Sequence, residues 1–175
     1  MARAYRGHGA IKAGRLDAGL SELREAISWF DSSQLGYVRS VLALWLADGY
    51  IRAEKRSSAR PLIEDVLETS HAAGCQYLEG VAHRVLGDCL SLEAPVSAEQ
   101  HLEKALSILD KISARNELAK AMVTRSLLRR RAGDLALSRQ LLEQAHLTFE
   151  MLGTRDEPAR IRAALLKLDN GSTSR

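Results

Sequence analysis

The chain repeats with a period of about 40 residues, and the period shows in several sequence columns that keep the same phase. One column consists of small residues spaced by 40, 39 and 40 positions: Gly19, Ala59, Ala98 and Ser138. Two apolar columns follow it: Leu23, Ile63, Leu102 and Leu142, and then Ala26, Val66, Ala105 and Ala145. A second small column lies upstream: Gly7, Ala47, Gly87 and Ser126. A period of this length, built from two helices, is typical of a solenoid whose repeats bury their apolar faces against their neighbours.

The composition favours an all-α fold. Of the 175 residues, 46% are hydrophobic and 5% are aromatic, and the helix formers Ala, Leu, Arg and Glu are abundant. No stretch shows the alternation of apolar and polar residues that is typical of a strand. The repeat phase and the turn residues predict nine helices, at about 2–13, 17–32, 36–53, 58–72, 76–92, 97–112, 116–131, 135–151 and 156–168.

Turn residues recur at the same period. Gly14 and Gly133 stand in matching turns, where glycine can take the left-handed conformation that ends a helix. In the second and third repeats a serine is expected to cap the second helix, at about Ser58 and at Ser97. The chain therefore divides into four two-helix repeats, at about 1–34, 35–74, 75–114 and 115–153, followed by a closing helix at 154–169. Residues 170–175 have nothing to pack against and are expected to form a disordered tail.

These columns resemble the tetratricopeptide repeat, in which a small residue midway along the first helix is followed by a tight turn and a second helix that opens on a small residue. The nine residues from Ala98 to Leu106 are the best single match. The resemblance covers about residues 3–168. It implies a right-handed α-solenoid of about four helical hairpins plus a closing helix, and a scaffold that binds a protein or peptide.

Two departures from this pattern concern the second half of the chain. The two small residues of the third repeat, Gly87 and Ala98, are separated by 11 positions in sequence number, against 12 in the other repeats. In the fourth repeat an arginine, Arg129, occupies the column that is otherwise Ala10, Tyr50 and Leu90. The first departure falls in a loop, where a change of length disturbs the helices least. The second makes the first helix of the fourth repeat the poorest fit.

The period near 40 and the closing segment 147–160 look like the C-terminal arrays of large bacterial regulators that carry an AAA-like ATPase with a nucleotide cyclase or DNA-binding domain. This resemblance implies that the chain is the interaction or sensor part of such a regulator. The short first helix fits that expectation, since a terminal repeat normally has a polar outer face. The alternative is a sensor domain whose small ligand or signalling peptide gates an attached cyclase or ATPase.

Motifs for catalysis, cofactors and metals are not found in the sequence, so we expect no enzyme activity, no cofactor and no metal site. The 12 glycines form no phosphate-binding loop, and the five histidines form no HExxH pattern. The cysteines, Cys75 and Cys89, form no CxxC pair and are expected to be reduced. The net charge of +3 is spread along the chain, which argues against direct nucleic-acid binding. Without an apolar run of membrane-spanning length, we expect no membrane contact and a cytoplasmic location.

Two further groups of residues have a functional and a structural interpretation. Glutamates recur near the start of the first helices at Glu79, Glu117 and Glu157, and we read them as favourable charges at helix N-termini rather than as a catalytic set. Three aromatic residues, Trp29, Phe30 and Trp45, fall near the first inter-repeat junction. A ligand-stacking box is one interpretation, but aromatics at helical spacing favour core packing.

The binding face is expected on the inner side of the array, formed by the first helix of each repeat. Continuing the phase of the small column places ten residues there: Lys12, Leu44, Asp48, Arg52, Arg84, Asp88, Lys120, Leu127, Arg130 and Arg131. Six are basic and two are acidic, so we expect an acidic protein or peptide partner. The alternative is a solvated face whose charges serve solubility. Self-association through the exposed terminal repeats is also expected.

Overall fold

The computed structural model describes residues 1–30, 35–154 and 157–172, and within these ranges the chain is helical with no strand. The nine helices are α1 (Ala2–Lys12), α2 (Leu16–Phe30), α3 (Gly36–Arg52), α4 (Arg56–Ala72), α5 (Gln76–Leu90), α6 (Pro95–Lys111), α7 (Arg115–Arg131), α8 (Leu135–Met151) and α9 (Glu157–Ser172). The predicted all-α class and the predicted number of helices are confirmed for the described part of the chain.

Most helix ends lie within two residues of the predicted positions. Gly14 and Gly133 have positive φ angles of 80° and 84°, as expected for residues that end a helix. The serine caps are wrong, because α4 begins at Arg56 and α6 at Pro95, each without a side-chain cap. Helix α9 continues to Ser172, past the predicted end of the closing helix. Of the predicted tail, residues 173–175 lie outside the described residues.

Neighbours in sequence are neighbours in space. Each helix packs against the preceding and the following one, and α1, α3, α5 and α7 also contact one another in that order. The first helix of each predicted repeat therefore belongs to one continuous layer. None of the described helices has the length and apolar character needed to cross a membrane.

The two small-residue columns face each other inside the hairpins. A Cβ atom added to Gly19 of α2 would lie 2.7 Å from the carbonyl oxygen of Gly7 and 2.6 Å from Cγ1 of Ile11 in α1. In the third hairpin, a Cβ at Gly87 would lie 2.6 Å from Cγ of Leu102 in α6. Small residues are thus needed for the paired helices to approach this closely, as the columns predict.

The apolar columns form the core. Leu23, Ile63 and Leu102 have no exposed surface, and the remaining members of both columns are also buried. Of the three aromatic residues near the first junction, Phe30 is buried, as expected. Trp29 is 71% exposed, so its prediction as a core residue is wrong. It adjoins Phe30 edge-on at the end of α2, on the side turned away from the core.

Candidate functional site

A cavity of about 350 Å³ lies on the face formed by the first helices of the repeats. Three helices supply most of its wall, each through residues three or four positions apart, which lie on one side of a helix. They are Val41, Leu44, Trp45, Asp48 and Arg52 of α3, Tyr77, Leu78, Val81, Arg84 and Asp88 of α5, and Glu117, Lys120, Val123, Thr124 and Leu127 of α7. Side chains of α1, α8 and α9 complete the wall. We call it the central cavity.

Eight of the ten residues predicted for the binding face line the central cavity: Lys12, Leu44, Asp48, Arg52, Arg84, Asp88, Lys120 and Leu127. The structure does not bring the other two to it. Arg130 is exposed and does not line the cavity. Arg131 lines a different pocket and donates a hydrogen bond to Oγ of Ser91 at 3.1 Å.

The charge balance of the central cavity differs from the predicted six to two. Five basic residues line it, Lys12, Arg52, Arg84, Lys120 and Arg160, together with four acidic ones, Asp48, Asp88, Glu117 and Glu157. The prediction omitted Glu117 and Glu157, because the glutamate column was read only as helix N-terminal charge. The recurrence of that column at the repeat period was the signal that could have placed them on the inner face.

Glu117 is the most buried carboxylate of the cavity, at 10% side-chain exposure. Its Oε1 accepts hydrogen bonds from Nζ of Lys120 at 2.6 Å and from Nδ2 of Asn116 at 3.2 Å. Nε of Arg84 lies 3.4 Å from Oε2, and neither atom has a hydrogen-bond partner among the described residues. Burial opposes ionisation, but the charges of Arg84 and Lys120 outweigh it and lower the pKa of Glu117. The carboxylate of Glu117 thus pairs with two cations, Arg84 and Lys120.

Two aspartates on neighbouring helices have different environments. Asp48 accepts a hydrogen bond from Nε of Arg52 at 2.8 Å, four residues along α3. The pKa of Asp88 in α5 is raised, first by burial and then by the negative charge of Asp48. The charges of Arg56 and Arg84 act in the opposite direction. Asp88 therefore binds a proton more readily than an ordinary aspartate.

His8 forms one end of the site. Its ring stacks on Trp45 with the ring centroids 4.3 Å apart and an angle of 21° between the planes. Burial, and next the positive charge of Lys12, lower the pKa of His8 to about 4, so the imidazole is neutral at pH 7. Its Nδ1 is buried and has no hydrogen-bond partner among the described residues. His8 and Trp45 thus present a neutral aromatic surface beside charged groups.

Part of the wall is apolar. It comprises Val123 and Leu127 of α7, Leu142 and Phe149 of α8, and Ile161 and Ala164 of α9. Leu127 is 41% exposed, whereas Phe149 is fully buried and forms part of the floor. Ion pairs and an apolar surface in one cleft can hold a ligand that has both charged and apolar groups. The described residues contain no cluster of three or more His, Cys, Asp or Glu side chains that could hold a metal ion.

Comparison of the chain with models of known protein families and with curated proteins finds no match in either case. Function is therefore inferred from the geometry of the central cavity.

Proposed function

We propose that this chain is a right-handed α-solenoid of the tetratricopeptide-repeat type whose central cavity binds a protein or peptide. The observation that carries the proposal is the agreement between repeat phase and geometry. Residues chosen only because they continue the phase of the first helices line one cavity in eight cases of ten. A recurrent inner face that stays accessible along several repeats is how such arrays bind extended partners.

The chemistry of the wall defines how a partner would be held. The apolar residues of α7, α8 and α9 would bury apolar side chains of the partner. Lys12 is exposed and forms no ion pair with a described residue, and Lys120 and Arg84 share the carboxylate of Glu117. These cations would attract acidic groups of a partner. With five basic and four acidic residues in the wall, apolar contact carries more of the recognition than the sequence predicted.

We further propose that the chain acts as the interaction part of a larger cytoplasmic signalling or transcriptional regulator, without enzyme activity of its own. This rests on the resemblance to the C-terminal arrays of bacterial regulators. The functional groups of the central cavity are consistent with a binding role. Its charged side chains form carboxylate–cation pairs, whereas nucleophilic catalysis uses a nucleophile paired with a base.

A second candidate function is a sensor for a small ligand or a short signalling peptide. It is favoured by the size of the cavity, about 350 Å³, which falls in the range of small-molecule sites. Side chains of α1 and α9 also line it, so both ends of the described array contribute to one site. Binding there would change the relative positions of the terminal helices and so reach an attached domain.

The proposal is tested with two exposed wall residues and two matched controls. Leu127→Glu and Lys12→Glu alter the wall, whereas Leu147→Glu and Lys55→Glu make the same changes at exposed sites outside it. Proteins from a lysate of the source are bound to each immobilised variant and quantified by mass spectrometry. We expect at least one partner that is retained by wild type and both controls and lost from both wall variants. Equal recovery on all five chains would refute binding in the central cavity.

The second candidate is tested by native mass spectrometry of the chain purified from its source. A small molecule or short peptide that copurifies with wild type and with Leu147→Glu, but not with Leu127→Glu, supports the sensor. A chain that carries no ligand, together with protein partners that depend on Leu127 and Lys12, favours the docking scaffold instead.

A further inference from the structure

The two departures from the repeat pattern meet at one place in the structure. The short turn between α5 and α6 and the last turn of α7, which carries Arg129, both line a second pocket of about 580 Å³. The other within-repeat turns use a residue with positive φ, such as Gly14 or Gly133, whereas none is found in this turn, 91–94. The shortened α5–α6 turn and Arg129 therefore lie side by side at a pocket. We call it the α6–α7 pocket.

The walls of the α6–α7 pocket are apolar and open to solvent. Val96 in the first turn of α6 is 74% exposed, and Leu92 in the preceding turn is 59% exposed. Pro95, Leu128 and Ala132 complete the apolar wall. Large aliphatic side chains that line a concavity and remain exposed are typical of a surface that another chain covers.

The rim of the pocket has an excess of guanidinium groups. Glu99, the carboxylate of the pocket, accepts hydrogen bonds from Arg129 and from Nε of Arg125, the latter at 2.6 Å, so two cations share it. Arg131 lines the same pocket and donates a hydrogen bond to the hydroxyl of Ser91 at 3.1 Å, and its charge also acts on Asp88 of α5. Arg129 and Arg131 are the cations that line the pocket and Glu99 is its carboxylate, so the lining carries a net charge of +1. A carboxylate placed beside Arg131 would complete the charge balance.

We propose that the α6–α7 pocket is a second docking site, distinct from the central cavity, for an acidic protein segment with an apolar side chain next to a carboxylate. The apolar side chain packs between Leu92 and Val96. The carboxylate pairs with Arg131. The occupant is a segment of another protein, because the pocket is open on the side of its exposed walls and its charge complements an acidic chain. The site uses none of the residues of the central cavity, so each can bind without the other.

The proposal is tested with two variants of the pocket and two matched controls. Val96→Glu places a carboxylate on the apolar wall, and Leu135→Glu makes the same kind of change in the first turn of α8, outside both cavities. Arg131→Gln removes a cation that lines the pocket, and Arg130→Gln removes an adjacent exposed one that lines neither cavity. All four sites are exposed, so thermal melts by circular dichroism should remain close to that of wild type.

A phage-displayed library of random twelve-residue peptides is selected on the immobilised wild-type chain, and the selected peptides are measured by fluorescence anisotropy. We expect a family of peptides with Leu or an aromatic residue next to Asp or Glu. Its affinity should fall at least tenfold for Val96→Glu and Arg131→Gln, fall with added salt, and change less than twofold for Leu135→Glu, Arg130→Gln and Leu127→Glu.

Three results would overturn the proposal. The first is a selection that yields no peptide sensitive to Val96→Glu and Arg131→Gln. The second is a pocket-dependent family that is basic or uncharged. The third is a wild-type chain that sediments as a dimer and becomes monomeric with Val96→Glu, because the occupant would then be a second copy of this chain. Loss of partners with Leu127→Glu bears only on the central cavity, so the two sites fail or succeed separately.

Discussion

The close approach of α1 and α2 predicts opposite effects for two glycine-to-alanine changes. Gly9 of α1 has open space around it, because a Cβ there would meet no atom within 4 Å. Gly19 of α2 is enclosed, since its Cβ would lie 2.6 Å from Cγ1 of Ile11 and 2.7 Å from the carbonyl oxygen of Gly7. Both positions are helical. The two variants therefore gain the same helix propensity and differ only in what surrounds the new methyl group.

The magnitudes follow from these distances. Replacing glycine by alanine inside a helix stabilises by about 1 kcal/mol, so Gly9→Ala should be more stable than wild type by about 0.5 to 1 kcal/mol. At Gly19 the same gain is opposed by overpacking of about 2 to 3 kcal/mol, because backbone atoms of α1 must move. Gly19→Ala should therefore lose about 1 to 2 kcal/mol, and the two variants should differ by about 2 kcal/mol.

The assay is urea denaturation followed by circular dichroism at 222 nm, with the slope of the transition fitted for each chain. A midpoint that rises for Gly9→Ala and falls for Gly19→Ala is the expected result. If Gly19→Ala were as stable as Gly9→Ala, the two helices would not approach as closely as described, and the small columns would not be steric requirements.

Three further predictions concern other hairpins. Ala98→Leu should destabilise by about 1 to 3 kcal/mol through overpacking, measured by urea denaturation against the surface change Glu103→Gln, and an unchanged midpoint would contradict it. The pKa of His83 is lowered to about 4 and that of His101 is also lowered, first by burial, and their Nδ1 atoms lie 2.9 Å apart. Because the unfolded chain binds these protons more readily, stability present above about pH 6.5 should decline toward pH 4. His83 contributes about 1 to 2 kcal/mol to the loss between pH 7 and pH 5, in addition to that of His8, whose pKa is also lowered to about 4, and a His83→Gln chain with the same decline would refute it. Arg56→Met removes hydrogen bonds to two carbonyl groups at the end of α5, at 2.5 and 3.0 Å, and should lower the free energy of unfolding by about 1 to 3 kcal/mol. A thermal melt matching wild type would contradict that role.

The repeat phase predicted where small and apolar residues meet between helices, and it predicted eight of the residues that line the central cavity. Packing between helices at a fixed period constrains residue size, as at Gly19 and Ala98. Such a constraint can be recognised in the sequence as a column of small residues. The same phase extended to Leu44, Arg84 and Leu127 placed them on one wall, because residues three or four apart share a side of a helix.

Exact helix starts, the exposure of individual side chains and contacts between helices were not predictable from the repeat phase. Serines were expected to cap α4 and α6, yet α4 begins at Arg56 and α6 at Pro95, before those serines. Trp29 was expected in the core, but its neighbour Phe30 is the residue on the core side of α2, and the indole of Trp29 is exposed. The pairing of Glu117 with Arg84 needed the distance between α5 and α7, which no single helix pattern contains.

The central cavity joins parts of the chain that are far apart in sequence. His8 of α1 and Ile161 of α9 line the same space, although they are separated by about 150 residues. The helix contacts that stabilise the fold connect near neighbours, so they can form early and locally during folding. The cavity wall is complete only when every hairpin between α1 and α9 is in place. A ligand in the cavity would therefore stabilise the fully assembled chain over any partly frayed form, and would raise the cooperativity of unfolding as well as its midpoint.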